Sequence, residues 1–290
     1  MRCSSLQAMQ LTNPMLIRYK DIADASTITA MQTLSKLFSL DGKVALITGG
    51  SRGIGKMIAR GFLEAGCRKV YISGRNPVTC DATAEELGPR CVSVPQDIST
   101  VHGCRELLAK YLDHEDRLDI LLNNAGLGWE EDFEHFSEKG WDEVMDVNLK
   151  SPFFLTQALF GILAAAAAHE RPAKVINIAS IDAVRLSPAE AYSYYASKSA
   201  LIFLTRHMAA RLIRHNIVVS GIAPGSFATD LNVRARDRGP EVAERNPSRR
   251  IGTDEDMQGA AIYLASRAGD WVVGDTLVVD GGLSLAACSP

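Results

Sequence analysis

The chain has 290 residues, an apolar share of 47% and a formal net charge of −3. This length allows one large domain or two small ones, and the composition is sufficient for a buried core. The small net charge gives no general attraction to nucleic acid or to anionic membranes. No stretch approaches the roughly 18 apolar residues that span a bilayer. We therefore expect no nucleic-acid partner and no membrane partner.

The six cysteines and six histidines are scattered and show no spacing typical of metal ligands. We expect reduced thiols, a cytoplasmic protein and no metal site. Residues 1–35 resemble neither a secretion signal nor a transit peptide. We expect them to form an N-terminal extension that is partly disordered or packed on the surface, in front of one domain over residues 36–290.

Seven short runs rich in β-branched residues follow the extension, and longer helical stretches separate them. The runs are nearly continuously apolar, as expected for strands that are covered on both faces. They are KVALIT (43–48), KVYIS (69–73), CVSVP (91–95), LDILLN (118–123), KVINIA (174–179), IVVSGI (217–222) and TLVVD (276–280).

The alternation of strand and helix predicts an α/β fold with right-handed crossovers. Seven strands fit one doubly wound, Rossmann-type domain with a seven-stranded parallel sheet and helices on both faces. In such sheets ligands bind beyond the carboxyl ends of the strands. Each candidate motif is therefore expected at that edge.

A glycine-rich turn, TGGSRGIG (48–55), joins the first predicted strand to the first helix. Glycines allow the chain to turn tightly and allow its amides to approach a pyrophosphate, while the helix N-terminus attracts the same anion. The turn therefore predicts a dinucleotide site. Its expected cofactor-binding residues are Gly49, Ser51, Arg52, Gly53, Ile54 and Gly55.

The second strand ends in YISGR and offers Arg75 where NAD sites usually place an acid. Together with Arg52, a second guanidinium suits the 2′-phosphate of NADP(H). We therefore expect NADP(H) rather than NAD. The remaining residues expected on its adenosine side follow the third and fourth strands: Asp97, Ile98, Asn124, Ala125 and Gly126.

The stretch EAYSYYASKS (190–199) places three tyrosines close to one lysine. Tyr194 lies four residues before Lys198, and Tyr195 lies three before it, so either can share a helical face with the lysine. A free phenol has a pKa of about 10. An ammonium about 4 Å away, at an effective dielectric of about 20, favours the phenolate by roughly 4 kcal/mol, or about 3 pKa units. On this argument the pKa of the paired tyrosine is expected near neutrality, where it can act as a general acid.

These motifs, in this order, resemble the short-chain dehydrogenase/reductase family over about residues 38–285. The resemblance rests on TGGSRGIG, NNAG (123–126), Asn148, Ser180, YYASK (194–198) and APG (223–225). The family pattern Tyr-x-x-x-Lys selects Tyr194. The resemblance implies hydride transfer between nicotinamide and a carbonyl carbon, with Asn148, Ser180, Tyr194 and Lys198 as catalytic residues.

The resemblance also implies a role for each of these residues. Tyr194 exchanges the proton with the carbonyl oxygen, and Ser180 hydrogen-bonds that oxygen. Lys198 lowers the phenol pKa and binds the nicotinamide ribose, and Asn148 holds a water of a proton relay. The nicotinamide end is expected against Pro224, Gly225 and Thr229.

The substrate pocket is expected to include Ser180, Asp182, Tyr194 and Phe227, under a lid over about residues 226–250. Six arginines between 231 and 250 fit either a phosphate-bearing acyl carrier or a solvated lid. By resemblance the chain forms a homodimer or homotetramer.

Three functions stay open at this point. The leading one is NADPH-dependent reduction of a ketone, most closely a 3-oxoacyl thioester as in β-ketoacyl reductase-like members, including the rhamnolipid branch. The second is a dehydrogenase of a small secondary alcohol, polyol or steroid-like substrate. The third is a dinucleotide-sensing regulator or scaffold on the same fold.

Overall fold

Seven parallel strands form one sheet in the order β3-β2-β1-β4-β5-β6-β7. The computed structural model describes residues 25–286, with side chains from residue 32 onward. The doubly wound topology confirms the predicted α/β fold. The strands are β1 (Val44–Thr48), β2 (Lys69–Ser73), β3 (Cys91–Ser93), β4 (Ile120–Asn123), β5 (Ala173–Ile178), β6 (Ile217–Pro224) and β7 (Thr276–Val279).

Helices that follow β1 connect the strands and cover both faces of the sheet. Four of them begin with a side-chain cap from Asn76, Thr100, Ser137 or Asn232, each of which accepts a hydrogen bond from a backbone N–H of the first turn. The helices are α1 (Ala25–Phe38), α2 (Gly53–Glu64), α3 (Pro77–Leu87), α4 (Val101–Leu112), α5 (Glu138–Met145), α6 (Ser151–Ala166), α7 (Tyr192–Leu212), α8 (Val233–Asp237), α9 (Gly239–Arg245) and α10 (Asp254–Ala265).

The core lies on both sides of the sheet because successive strand residues point to opposite faces. In β1, Ala45 and Ile47 pack with α2 and α10, whereas Val44 and Leu46 pack with α4 and α6. All five residues of β1 are buried. This double coverage explains why the strands are continuous apolar runs in the sequence.

The chain forms two compact units, residues 1–37 and residues 38–290. Within the first unit the structure describes residues 25–37, which belong to α1. The predicted state of the extension over residues 1–24 lies outside the described residues. The predicted boundary after residue 35 therefore stays a proposal.

One continuous helical stretch, Glu138–Ala166, is long and apolar enough in composition to cross a membrane, and no other described helix is. Within it Leu155, Leu159 and Leu163 are fully buried in the core beside the sheet. Core helices of globular domains share this composition. A short π-helical turn, Asp146–Lys150, interrupts the stretch between α5 and α6.

Candidate active site

The polar residues singled out in the sequence lie at the carboxyl edge of the sheet. The glycine-rich turn follows β1, the NNAG segment covers the end of β4, and Ser180 comes two residues after β5. Carboxyl ends of parallel strands share one edge, where doubly wound sheets bind their ligands. The fold therefore brings the separate motifs into one region.

The glycine-rich turn has a backbone that other residues would not adopt. Gly49 has a φ of +63° and Gly53 a φ of +52°, in the left-handed region that favours glycine. A Cβ built on Gly55 would lie 2.2 Å from the carbonyl oxygen of Gly49. The turn is thus tightly closed at the N-terminus of α2, where backbone N–H groups without helical partners suit an anion such as a pyrophosphate.

Residues at the end of β4 hold this turn in place through hydrogen bonds. The Asn124 side-chain amide donates to the carbonyl oxygens of Thr48 and Gly49, both at 3.0 Å. The Thr48 hydroxyl accepts from the backbone N–H groups of Asn124 and Ala125, both at 3.1 Å. Thr48 is a supporting residue that the sequence reasoning missed, although it is the first letter of the quoted TGGSRGIG motif.

Arg52, predicted to bind a 2′-phosphate, forms an ion pair with Asp230 at 3.1 Å. Both side chains are largely exposed, so this pair contributes little to stability. Arg75 is exposed and has no ion pair among the side chains that the structure describes. Two guanidiniums are therefore available next to the glycine-rich turn, one of them shared with the predicted lid.

The other predicted cofactor residues also border this edge, although some side chains are used within the protein. The Asp97 carboxylate accepts from the backbone N–H of Ser99 at 2.9 Å, and the Ile98 side chain is buried in the core. Gly225 follows Pro224 at the end of β6 and donates its N–H to the carbonyl of Val279.

Three further members of the predicted set lie in or above the glycine-rich turn. Ser51 accepts at its backbone carbonyl from the Thr83 hydroxyl at 2.8 Å. Ile54 packs against the core from the first turn of α2. Thr229 lies over Gly53, because a Cβ built there would approach its methyl carbon to 3.2 Å.

Tyr194 and Lys198 lie one turn apart on α7 and face each other. The Lys198 Nζ atom is 5.9 Å from the centroid of the Tyr194 ring. The same ammonium donates to the carbonyl oxygen of Ile178, the last residue of β5, at 2.7 Å. Lys198 is only 3% exposed. The helix thus holds the pair against the carboxyl end of the sheet.

The pKa argument from spacing alone is wrong for the cofactor-free protein. Burial raises the pKa of the Tyr194 phenol to about 12, and a hydrogen bond from Ser180 lowers it only in part. Burial also lowers the pKa of the Lys198 ammonium to about 8. The reason is desolvation, which disfavours the charged form of both groups. Lys198 sits over the ring and points to Ile178, so its field does not outweigh that cost.

Tyr195 and Tyr192 face other groups. The Tyr195 hydroxyl donates to the backbone carbonyl of Ala189 at 3.0 Å. The Tyr192 ring packs edge-on against Phe133 and Phe136. Of the three tyrosines, Tyr194 is the one whose ring lies beneath the Lys198 ammonium.

Asn148 occupies the π-helical turn and is completely buried. Its Oδ1 atom accepts from the N–H of Leu127 at 2.9 Å, and its Nδ2 atom donates to the Ser197 hydroxyl at 3.2 Å. Gly126 lies against both Asn148 Oδ1 and Lys198 Nζ. Single π turns inside α-helices occur frequently at functional sites, and this one brings Asn148 close to the Lys198 ammonium.

Ser180 caps a short 3₁₀ turn, Ile181–Ala183, and is 6% exposed. Its Oγ atom accepts from the backbone N–H of Asp182 at 3.1 Å and lies 3.5 Å from the Asp182 carboxylate. Arg185 stands beside that carboxylate, with Nε 3.6 Å from Oδ1. Burial raises the pKa of the Asp182 carboxyl above its usual range.

The predicted substrate contact of Phe227 is not supported by its position. The Phe227 ring is 2% exposed and belongs to the core cluster beneath α2 and α10. A Cβ built on Gly252 would lie 2.4 Å from this ring, so the ring fills the space beside that glycine. Burial of this large apolar ring in the core is favourable because it removes apolar surface from water.

The predicted lid contains the two short helices α8 and α9. Several of its arginines are paired within the protein: Arg236 with Asp230 and Asp237, and Arg250 with Asp256. Among the described residues, no group of three or more His, Cys, Asp or Glu side chains could hold a metal ion.

The chain is similar to known enzymes over most of its length. A family model described as "Enoyl-(Acyl carrier protein) reductase" matches residues 49–284. The rhamnolipids biosynthesis 3-oxoacyl-[acyl-carrier-protein] reductase of Pseudomonas aeruginosa is 41% identical over 254 residues, which cover 86% of this chain and 98% of that protein. The 2-dehydro-3-deoxy-D-gluconate 5-dehydrogenase of Dickeya dadantii is 41% identical over 248 residues, covering 84% and 96%.

The chain is also similar to solved structures of related enzymes. The RhlG/NADP active-site complex of Pseudomonas aeruginosa superposes with a TM-score of 0.82 at 39% identity, covering 86% of this chain and 99% of that one. A gluconate 5-dehydrogenase from Burkholderia cenocepacia, in complex with NADP and tartrate, gives a TM-score of 0.79 at 35% identity, covering 88% and 100%.

Proposed function

Because the chain belongs to the short-chain dehydrogenase/reductase family, we propose that it is an NADP(H)-dependent oxidoreductase that reduces a ketone to a secondary alcohol. The observation that carries the proposal is the Tyr194–Lys198 pair on α7, which faces Ser180 at the carboxyl edge of the sheet. A phenol, a hydroxyl and an ammonium in one buried corner fit proton delivery to a carbonyl oxygen.

The glycine-rich turn and the two arginines are the proposed cofactor site. The closed backbone around Gly49 and Gly55 lies at the N-terminus of α2, whose backbone N–H groups would bind a pyrophosphate. Arg52 and Arg75 would hold the 2′-phosphate, and Thr229 and Gly225 would hold the nicotinamide end. Bound NADPH supplies the hydride that reduces the carbonyl carbon.

Each side chain of the proposed catalytic group has one task. Tyr194 donates its phenolic proton to the carbonyl oxygen as the hydride reaches the carbon, so a ketone, a hydride and a proton give a secondary alcohol. Ser180 donates a hydrogen bond to that same oxygen. Lys198 offsets the negative charge that develops on the Tyr194 oxygen and binds the nicotinamide ribose. Asn148, beside Gly126 and Lys198, holds the relay that returns a proton to the phenol.

For the substrate we propose a 3-oxoacyl thioester or a related carbonyl compound. The Pseudomonas aeruginosa relative, a rhamnolipids biosynthesis 3-oxoacyl-[acyl-carrier-protein] reductase, supports this class. Arg234 and Arg245 of the lid have no ion pair among the described side chains and could meet a phosphate-bearing carrier.

A hydroxylated ketone or sugar acid is the second candidate. The Dickeya relative, equally similar, acts on a sugar acid according to its name, and the polar pair of Asp182 and Arg185 beside Ser180 would suit hydroxyl and carboxylate groups. We further propose a cytoplasmic homo-oligomer. The free, buried Cys67, Cys80, Cys91 and Cys104 are compatible with a reducing compartment.

The test compares Tyr194→Phe with Tyr195→Phe in NADPH oxidation on a panel of 3-oxoacyl thioesters, keto sugar acids and plain ketones. We expect Tyr194→Phe to lower kcat by about 10³-fold or more, because it removes the proton donor. Tyr195→Phe removes a hydroxyl that contacts Ala189 and Ser187, away from Lys198, and should retain activity within about threefold.

Two results would contradict the proposal. Loss of activity in Tyr195→Phe alone would move the proton donor to the neighbouring residue. Failure of the wild-type protein to oxidise NADPH with any member of the panel, while still binding the nucleotide, would favour a sensor or scaffold.

A further inference from the structure

The hydroxyl of Ser180 is held from two sides by one residue, Asp182. The backbone N–H of Asp182 donates to Ser180 Oγ at 3.1 Å. The hydroxyl in turn lies 3.5 Å from Asp182 Oδ2, where it donates to the carboxylate. In this arrangement the Ser180 oxygen accepts from the turn, and its hydrogen is directed at Asp182.

This direction conflicts with the role that Ser180 has in the proposed reaction. A serine hydroxyl carries one hydrogen, and the reacting carbonyl oxygen has only lone pairs to offer. The Asp182 carboxylate, the Tyr194 phenol, whose pKa a hydrogen bond with Ser180 lowers, and the substrate oxygen therefore compete for the same hydrogen. A charged acceptor forms the stronger hydrogen bond, so an ionised Asp182 has the advantage.

We propose that Asp182 is a positioning residue for Ser180, and that its charge state decides whether the Ser180 hydroxyl is free to donate to the substrate oxygen. The inference rests on the proposed function and adds a residue to it. With Asp182 ionised, Ser180 is turned away from the substrate. With Asp182 neutral, the carboxyl can donate to Ser180 Oγ, and the Ser180 hydrogen is released to the substrate.

The surroundings of Asp182 make the neutral form accessible. Burial is the largest influence and raises the pKa of its carboxyl, while Arg185 and Ser180 lower it by less. The Arg185 Nε atom is buried and has no hydrogen-bond partner among the described atoms, 3.6 Å from Asp182 Oδ1. Asp182 in turn raises the pKa of Tyr194 and Tyr195 on α7.

Arg185 also acts on a second carboxylate, Asp280, just after β7. Hydrogen bonds from Ser284 and Gly282 are the main influences that lower the pKa of Asp280, and the Arg185 charge adds a smaller lowering. The guanidinium is therefore not committed to Asp182 alone. The charged and titratable groups around Asp182 are thus Arg185, Tyr194 and Tyr195, with Asp280 acting through Arg185.

The sign of the pH effect follows from this arrangement. Below its raised pKa Asp182 is neutral, Ser180 is free, and reduction is fast. As the pH rises through that pKa, Asp182 becomes charged and captures the Ser180 hydrogen. Its charge also makes the Tyr194 phenol a weaker acid. Both effects slow reduction.

The kinetic test measures kcat for NADPH-dependent reduction as a function of pH, with the best ketone of the panel. We expect the wild-type rate to fall as the pH rises through the raised pKa of Asp182, and Asp182→Asn, which is always neutral, to lack that fall. Above that pKa the variant should exceed the wild type by about threefold to tenfold.

A double-mutant cycle separates action through Ser180 from action through the field on Tyr194. In a Ser180→Ala background, Asp182→Asn should change kcat by less than about twofold. The proposal is overturned if kcat of Asp182→Asn still falls with rising pH. It is also overturned if Asp182→Asn changes kcat as much in the Ser180→Ala background as in the wild-type protein.

A second measurement does not need turnover. Carbon-13 NMR of labelled aspartates, with Asp182 assigned through Asp182→Asn, follows the titration of its carboxyl. Ser180→Ala should raise the Asp182 pKa further, because it removes a donor to the carboxylate. Ser199→Ala, which loses only a contact to the Ala183 carbonyl, should leave the titration unchanged.

An Asp182 titration that is identical with and without Ser180 would overturn the contact on which the inference depends. If no ketone of the panel is reduced, the proposed function fails. The NMR titration then decides by itself whether Asp182 and Ser180 are hydrogen-bonded.

Discussion

At the scale of single residues, burial is the dominant influence on the proposed catalytic pair. Tyr194 and Lys198 face each other, yet desolvation moves the pKa of the phenol up to about 12 and that of the ammonium down to about 8. Both shifts favour the neutral forms. In the reduction direction this is compatible with catalysis, because the phenol must hold its proton until the carbonyl oxygen accepts it.

The Lys198 shift predicts a pH dependence of kcat/KM for reduction. Lys198 is charged below about pH 8 and neutral above it, so its stabilisation of the developing phenolate is lost as the pH rises through that value. Tyr194 stays protonated throughout and adds no fall below about pH 9.5. We expect kcat/KM to decline by up to tenfold per unit above about pH 8. A profile that is flat between pH 7 and 9.5 would contradict this.

Arg75 is the residue that we expect to distinguish NADPH from NADH. Its guanidinium is exposed and forms no ion pair with the side chains that the structure describes. It can therefore bind a 2′-phosphate through charge-assisted hydrogen bonds. Arg75→Ala should weaken NADPH binding by about 10- to 100-fold, or about 1.4–2.8 kcal/mol, and leave NADH binding unchanged. Titration calorimetry checks this, with the exposed Arg214→Ala as the control. Equal affinities of the wild-type protein for the two nucleotides would refute the arginine argument.

At the scale of elements, the turn between β1 and α2 depends on close backbone approach. The Gly55 Cα hydrogen faces the Gly49 carbonyl, and a methyl group there would lie 2.2 Å from that oxygen. Neither partner is a flexible side chain that could move aside. The glycine at 55 is therefore required by packing of the main chain and not by the residue's own φ.

This packing predicts opposite outcomes for two Gly→Ala substitutions. Gly55→Ala should lower the free energy of unfolding by about 1–3 kcal/mol and weaken NADPH binding at least tenfold. Gly161→Ala lies within α6 with nothing within 4 Å of the added methyl, so it should raise stability by about 0.5–1 kcal/mol. Urea unfolding and fluorescence titration measure the two effects. Equal stability of the two variants would contradict the role of the turn.

At the scale of the whole molecule, β7 is the least covered strand of the sheet. It stands at the sheet edge, and its residues are partly or largely exposed, whereas those of the central strands are buried. Apolar side chains around it face solvent: Trp271 is 94%, Leu285 88% and Val278 40% exposed. Such surfaces commonly mark contacts with another protein, and we propose a second copy of this chain.

A self-association at β7 can be disrupted by one charge. Val278→Lys should shift the sedimentation of the protein from dimer or tetramer toward monomer, because it places a charge in the apolar contact. Val78→Lys, at an exposed position on α3, is the matched control and should leave the assembly unchanged. A wild-type protein that sediments as a monomer would show that this edge is not an interface between copies.

Local pattern was sufficient for much of this protein. The seven strands, their parallel arrangement and the position of the glycine-rich turn follow from apolar runs that alternate with helical stretches. The Tyr194–Lys198 alignment follows from the 3.6-residue period of a helix. These features depend on neighbours within a few residues along the chain, so the sequence determines them directly.

Only the tertiary structure decided the burial, the pKa values and the long-range contacts of those residues. Burial moved both pKa values away from the prediction based on spacing. The Phe227 ring packs into the core cluster, and Arg52 forms an ion pair with Asp230, which lies 178 residues further along the chain. The sequence showed Asp182 as a polar residue near Ser180. The hydrogen bonds between the two residues depend on the 3₁₀ turn that joins them. Desolvation and long-range contacts arise when distant segments exclude water together, and no local sequence pattern reports how much water remains.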